Sequence, residues 1–399
     1  MVACGGSFLA FLDATITNLA VPDLAGDFHV GVTSLSWVVT LYTIMFAALL
    51  APAGRLADVV GRVPLFVTGV GVFTAASLLA AVAPTLEALL VARGVQGVGA
   101  ALLIPASLAF VLADTPPERR AAAIGLWSAS AALAAAAGPA LGGVLVDTMS
   151  WRALFCINVP VGGWLVWQGW RWHRSGSARP AARGGEARRP DAIGTVALAG
   201  GIGVLVLGVT EASTWGWASA ATIGCLVGSA VLVAAALRRS AGHPSPAVEI
   251  GLWSSRTYAA ANVVSFLFGA VLYTTLLLGV LYLIDVWDYS ELAAGLAMTP
   301  GAVASAIVGI VIGRLTRRPS PRALVTAGSL VLAGTTAALA LWLPAEPRFL
   351  TAWLPSGLGL GLGIGACSVG VSSAAALSVA PVRFAAATGL NVAVRQIGG

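Results

Sequence analysis

The chain is 399 residues long, 58% hydrophobic and 10% charged, with a mean hydropathy of +0.91 and a formal net charge of +6. A soluble domain carries about 25% charged residues, whereas the apolar residues here come in runs of about 20, enough to cross a hydrocarbon core about 30 Å thick. These values exclude a soluble enzyme, a nucleic-acid-binding protein and a secreted disulfide scaffold, and leave a polytopic helical membrane protein.

In chain order, hydropathy predicts spans near 5–25, 36–54, 64–83, 88–112, 121–146, 153–170, 192–211, 218–237, 258–283, 291–313, 322–343 and 349–373. A thirteenth begins near 383 and stops at Gly399, so it reads as a fragment. Charge alternates between the loops. One side holds Arg55, Arg62, Arg119, Arg120, Arg171, Arg174, Arg179, Arg183, Arg188, Arg189, Arg238, Arg239, Arg256, Arg314, Arg317, Arg318, Arg322 and Arg383. The other holds Arg152 and Arg348 with Asp23, Asp27, Glu87, Asp147, Glu211, Asp285, Asp288, Glu291 and Glu346. Cytoplasmic loops carry the excess of basic residues, which predicts a multi-pass membrane protein with a cytoplasmic N-terminus. The use of arginine without lysine, with abundant alanine and glycine, resembles a high-GC bacterial genome and so points to a bacterial inner membrane.

All 22 basic residues are arginine. Without lysine there is no phosphate loop whose lysine grips a nucleotide, which argues against an ATP-driven pump in this chain alone. The first span has no basic stretch before it and does not read as a cleavable signal peptide. Cys4, Cys156, Cys225 and Cys367 lie in or beside spans without paired spacing and read as apolar filler. The three histidines fall at unrelated positions, and no metal site is predicted. Tryptophans at span ends, such as Trp151, Trp215 and Trp353, fit an interfacial belt.

The predicted organisation is an N-terminal six-helix lobe over 1–170, a flexible cytoplasmic linker over 171–191 and two inserted transmembrane helices over 192–237. A cytoplasmic loop over 238–257 and an incomplete C-terminal lobe over 258–399 follow. Internal repetition supports two lobes. Arg119-Arg120-Ala121-Ala122-Ala123-Ile124-Gly125-Leu126 recurs as Arg383-Phe384-Ala385-Ala386-Ala387-Thr388-Gly389-Leu390, and Gly97 and Gly99 meet Gly361 and Gly363 at the same offset of 264. Gly54-Arg55-Leu56 reappears as Gly313-Arg314-Leu315.

Two intramembrane charges stand out. Asp13 and Arg93 each sit in an apolar span, and a charge at a helix centre costs about 2.5–3.5 kcal/mol on insertion scales. Burial favours the neutral carboxyl and a neighbouring cation the ionised one, so the pair could switch with proton or substrate arrival; a purely structural bond is the alternative. Gly54, Arg55, Asp58, Gly61 and Arg62 compose a turn after the second span whose charges could pair with each other and with helix ends, either as a gate or as a solvated loop. Gly138, Pro139, Gly142 and Gly143 remove a backbone donor and let helices approach closely. Asn18, Trp37, Tyr42, Gln96 and Arg395 offer polar or aromatic points to a substrate cavity. Gly357 to Gly365, alternating with apolar residues, reads as a close-packed helix face rather than a phosphate loop.

Taken in order, these motifs resemble the major facilitator superfamily, and within it the fourteen-helix drug/proton antiporters of the EmrB/QacA type. Leu12 to Pro22 is similar to the family's first-helix motif, Gly54 to Arg62 to its loop signature with Val59 at a usually basic position, and Arg93 to Ala100 to its fourth-helix motif. Gly138 to Gly143 is similar to the antiporter motif, with Ala134 where glycine is usual. Trp151 to Pro160, Tyr289 to Pro300 and Arg395 to Gly399 match further helices. The resemblance implies an all-α major facilitator fold of two six-helix lobes plus two inserted helices, the last helices being incomplete here. It also implies that Asp13 and Arg93 couple protons, that no cofactor is needed beyond a proton gradient, and that amphipathic drugs or antibiotics are exported by a monomer in the bilayer. A narrow-specificity metabolite exporter of the same fold and an inactive truncated chain remain as alternatives.

Overall fold

The computed structural model describes residues 2–174, 191–315 and 319–399. The centre of the predicted linker, 175–190 with Arg179, Arg183, Arg188 and Arg189, lies outside the described residues, as do Arg317 and Arg318.

Helices α1 (Val2–Ile16) and α2 (Val21–Phe28) make up the first predicted span. The next four are α3 (Val32–Val60), α4 (Arg62–Ala81), α5 (Leu86–Asp114) and α6 (Arg120–Thr148), and α7 (Trp151–Cys156) with α8 (Asn158–Arg174) forms the sixth. Then come α9 (Ala192–Trp215), α10 (Ala220–Gly242), α11 (Arg256–Asp285), α12 (Glu291–Arg314), α13 (Pro321–Trp342), α14 (Leu354–Leu377) and α15 (Phe384–Gly398). Nine of the described helices are long and apolar enough to cross a membrane.

Three spans differ from their hydropathy outlines. The first is interrupted: α1 stops at Ile16, and a 3-10 turn over Thr17–Ala20 leads into α2. Proline has no N–H to donate and is best accommodated in a helix's first turn, which is where Pro22 sits in α2. The sixth pauses at Ile157, with Pro160 in the first turn of α8 for the same reason. The second runs on to Val60, so the expected turn from Gly54 is helix, and the break falls at Gly61 alone. Gly61 has φ +115°, where a side chain would be strained.

Helices α1, α3, α4, α5, α6 and α8 pack into one lobe, and α11 to α15 into another. Helices lacking side-chain bulk approach closely in a membrane, and the repeated glycines mark where. Gly97 faces the backbone of Tyr42 on α3 and Gly99 that of Phe73 on α4. Their counterparts Gly361 and Gly363 face Gly301 on α12 and Gly328 on α13. The packing of α3, α4 and α5 in the first lobe is thus repeated by α12, α13 and α14 in the second. Between them, α6 packs along α12 and α3 along α15. Helices α9 and α10 pair with each other, and α9 lies against α3. Their arginine-rich ends are tied by Asp191, which accepts from Gly194 N at 2.9 Å and from Arg239 Nε at 2.6 Å.

Candidate functional site: a buried ion pair and an inter-lobe seam

Asp13 lies in the last turn of α1, with no exposed surface. Arg93 Nη1 donates to Asp13 Oδ2 at 2.6 Å, while Gln96 Nε2 and Asn158 Nδ2 each donate to Oδ1 at 2.7 Å. Arg93 also donates to Gln96 Oε1 at 2.7 Å and through Nε to Val38 O at 2.9 Å. Ser77 Oγ accepts from Gln96 Nε2 at 2.8 Å and donates to Phe73 O. The guanidinium lies over the Tyr42 ring, 4.3 Å from its centroid, and near Phe155. Tyr42 in turn donates to Ala10 O at 3.2 Å.

Five helices of one lobe, α1, α3, α4, α5 and α8, are therefore joined in one network around this ion pair, with α5 and α8 bonding the carboxylate itself. Desolvating two charges is expensive, and only excellent geometry with further hydrogen bonds offsets it; short charge-assisted bonds supply that geometry here. Two loose ends remain, since Arg93 Nη2 and Asn158 Oδ1 are buried without partners.

The second constellation lies at the arginine-rich end, where α3 meets α15. Helix α15 has no capping side chain of its own. Asp58 of α3 supplies it across the seam, accepting from Ala386 N at 2.8 Å and Ala385 N at 3.4 Å. A carboxylate is favoured at a helix N-terminus by unpaired N–H groups and the helix dipole. Arg62 pairs with Asp58 at 3.0 Å and reaches the Pro381 carbonyl of the other lobe. Arg62 and Arg120 both lie over the Phe384 ring. Gly54 packs directly on the Ala385 carbonyl, a contact that leaves no room for a Cβ. Arg55 and Arg383, one from each lobe, both pair with Glu249, at 3.6 and 3.1 Å.

The structure thus unites Asp13, Arg93, Tyr42 and Gln96 in one cluster, and Gly54, Arg55, Asp58 and Arg62 in one seam, with Gly61 as the break beside it. Gly138 abuts the Thr15 side chain, Gly143 lies against Leu292 of the other lobe, and Gly142 is buried, while α6 runs through all three without a break. Trp37 is half-buried on α3, away from these bonds. Arg395 is buried on α15. The side chains of Asn18 and Pro139 lie outside the described residues. Sequence reasoning missed Ser77, Asn158 and Glu249 as parts of these constellations. An amide or hydroxyl in an apolar run was the available signal for the first two; a lone loop acid gave none for Glu249. Among the described residues no group of histidine, cysteine and acidic side chains could hold a metal.

Two lobes of long apolar helices, with a sealed ion pair in one and a charged latch between them, define a multi-pass membrane transporter, not an enzyme. Residues 3–399 match the family model of the Major Facilitator Superfamily, and the chain belongs to that superfamily. It is 34% identical over its whole length to the multidrug resistance protein Stp of Mycobacterium tuberculosis, covering 73% of that protein. The cephamycin export protein CmcT of Amycolatopsis lactamdurans is 31% identical, again over the whole chain and 82% of the relative. In fold, the chain superposes on the human organic anion transporter MFSD10 with TM-score 0.68 at 14% identity, covering all of this chain and 89% of the other.

Proposed function

We propose that this chain is a proton-coupled secondary transporter that exports amphipathic drugs or antibiotics across a bacterial inner membrane by alternating access. The observation that carries the reading is the Asp13–Arg93 pair, sealed inside one lobe. Four neutral amides and hydroxyls could tie these helices together at less cost; an acid adds a group that can take up a proton. Protonation at Asp13 Oδ2 removes the acceptor that Arg93 Nη1 now uses. The guanidinium then rests on Gln96 Oε1 and Val38 O alone, and α1 loosens against α5. The loose ends at Arg93 Nη2 and Asn158 Oδ1 give the cluster room to re-pair.

The lobes over 1–170 and 258–399 would rock about their shared seams, with 171–191 as linker, 192–237 as flanking helices and 238–257 as the loop that carries Glu249. Excess arginine puts the seam's latched end in the cytoplasm, so latching there opposes access from inside. Gly138, Pro139, Gly142 and Gly143 would let α6 move against α1 and α12. Asn18, Trp37 and Arg395 would face the cargo's path, while Tyr42 and Gln96, buried in the ion-pair cluster, would reach it only when that cluster opens. No cofactor is required: a proton gradient supplies about 2.3 kcal/mol per charge per 100 mV. The names of Stp and CmcT support a drug or antibiotic as cargo.

Everted vesicles carrying the full-length protein test the reading. A pH-sensitive dye should report proton release from energised vesicles when an amphipathic drug is added, and Asp13→Asn should abolish it while leaving the protein folded. A signal that survives in Asp13→Asn moves the coupling site elsewhere. A narrow-specificity exporter is the second reading, favoured by CmcT being named for one antibiotic. It is distinguished by a signal confined to a single chemotype across a drug panel.

A further inference from the structure

Arg395 lies eleven residues into α15, about 16 Å from the arginine-rich end at 1.5 Å per residue, and so near the middle of a core about 30 Å thick. The residue is only 7% exposed. Its guanidinium nonetheless makes no hydrogen bond or ion pair with any described residue. Arg93, the other buried arginine within a span, provides the contrast: it has a carboxylate, a side-chain amide and a backbone carbonyl as partners. The acids of the second half, Glu249, Asp285, Asp288, Glu291 and Glu346, all sit in loops or at helix ends, out of reach of the middle of α15.

The nitrogens of Arg395 are also not sealed in protein. Arg93 Nη2 is buried without a partner, whereas no Arg395 nitrogen is in that condition. With no partner of their own, they keep a small exposed surface, in line with the residue's 7% exposure. Around them stand the parts of a binding site. Tyr273 of α11 lies within electrostatic range of Arg395 and also of Tyr42, across the seam in the first lobe. The Tyr273 hydroxyl donates to Gln396 Oε1, which leaves the Gln396 Nε2 amide as a further donor with no partner among the described residues. The second lobe thus presents a guanidinium and an amide, both donors, with the Tyr273 ring beside them.

We propose that Arg395, flanked by Gln396 and Tyr273, binds an anionic group of the cargo, a carboxylate, at the seam between the lobes. The guanidinium fork matches a carboxylate's two oxygens, and the Tyr273 ring takes the apolar body beside it. The cargo class is then amphipathic acids rather than amphipathic cations. This inference rests on the export reading above and specifies its substrate.

The test uses full-length protein in neutral detergent and two probes of one shape, dansylglycine and its neutral amide, measured by equilibrium dialysis. Wild type should bind the acid at least tenfold more tightly than the amide. Arg395→Gln should lose that preference, with acid affinity falling at least tenfold and amide affinity unchanged. Arg395→Lys, which keeps the charge, should retain most of the preference and shows that the position tolerates replacement. Equal binding of acid and amide to wild type, no binding of the acid, or an undiminished preference in Arg395→Gln overturns the proposal. The vesicle assay separates the two readings. Arg395-dependent acid binding without proton release would leave this site standing and remove proton coupling. Proton release driven by cationic amphiphiles, without acid binding, would do the reverse.

Discussion

Both Asp13 oxygens accept bonds, from α5 and α8, and the network around Arg93 and Gln96 reaches α3 and α4, so the pair acts as a five-helix joint as well as a charge. Removing one partner of a buried pair leaves the other uncompensated, at a cost of about 3–5 kcal/mol. Asp13→Ala and Arg93→Met should therefore each destabilise strongly, and the double variant by less than their sum, with a coupling of about 0.5–3 kcal/mol. Thermal unfolding of the four purified proteins measures the cycle; strict additivity would show that the two side chains stabilise the lobe independently. A different acid makes a pH-dependent prediction. Asp27 on α2 accepts from Trp151 Nε1 and from Arg152 Nη1, each at 2.8 Å. These bonds, the tryptophan's first, hold its carboxyl below the usual carboxylate range. A group lowered on folding contributes stability that is present above its unfolded value, about 3.9, and is lost as pH falls through the folded value. Asp27→Asn should flatten the decline in unfolding temperature below about pH 4 and leave neutral-pH behaviour little changed. An unaltered acid limb would place the titration on another group.

At the scale of helices, α15 is capped by a residue more than 300 positions away, so the cap exists only while the lobes touch. Losing a side-chain cap costs about 0.5–2 kcal/mol, and one or two kcal/mol is a factor of about 5–30 in an equilibrium. Asp58→Ala, which removes the accepting oxygens, should shift the closed seam toward open by about that factor. Thr388 is buried in the seam-facing helix, so Thr388→Cys, in a chain with the four native cysteines replaced, reports the shift through labelling by a membrane-impermeant maleimide. Unchanged labelling would mean that the cap does not hold the seam. The sequence made much of this legible, for reasons that differ by element. Long apolar runs are dictated by bilayer thickness, so α4, α5 and α9 to α14 follow from hydropathy. Asp13, Arg93 and the Gly54 to Arg62 motif stood out because charges inside or beside apolar runs are costly. What stayed hidden depends on the third dimension. Pro160 reads equally well inside a kinked span or at the start of α8, and Asn158 acquires meaning only when α8 brings it to Asp13. Glu249 looks like any solvated loop acid until α3 and α15 deliver an arginine to each of its oxygens.

Over the whole molecule, the sequence repeat becomes a near-symmetry of two seams, and the departure from symmetry assigns their roles. Gly389 of α15 packs on Leu50 and Gly54 of α3, and its counterpart Gly125 of α6 packs on Gly309 of α12. Gly54 faces Ala385 and Ala386, and Gly313 faces Ala122, the equivalent of Ala386. The backbones correspond but the charges do not: the position equivalent to Asp58 is Arg317, an arginine where a capping acid would be needed. One seam thus carries a releasable electrostatic latch. The other brings Gly125 and Gly313 into close backbone contact with Gly309 and Ala122, which suits a surface on which two helices pivot while staying together. Glycine to alanine separates these roles with opposite signs. In an open helical position the change stabilises by about 1 kcal/mol, and a Cβ added at Gly334 on α13 would meet nothing within 4 Å. Gly334→Ala should therefore raise the unfolding temperature and leave transport unchanged. A Cβ at Gly125 would meet the Gly309 carbonyl oxygen at 2.5 Å, so Gly125→Ala must push α6 and α12 apart or jam them. Transport in vesicles should fall at least tenfold while the protein still folds, and Gly309→Ala should behave alike, since its Cβ would meet the Gly125 carbonyl oxygen at 2.8 Å. Full transport in both variants would mean that the lobes do not turn on this seam. The pivot would then have to be sought along α3 and α15, where the latch must open.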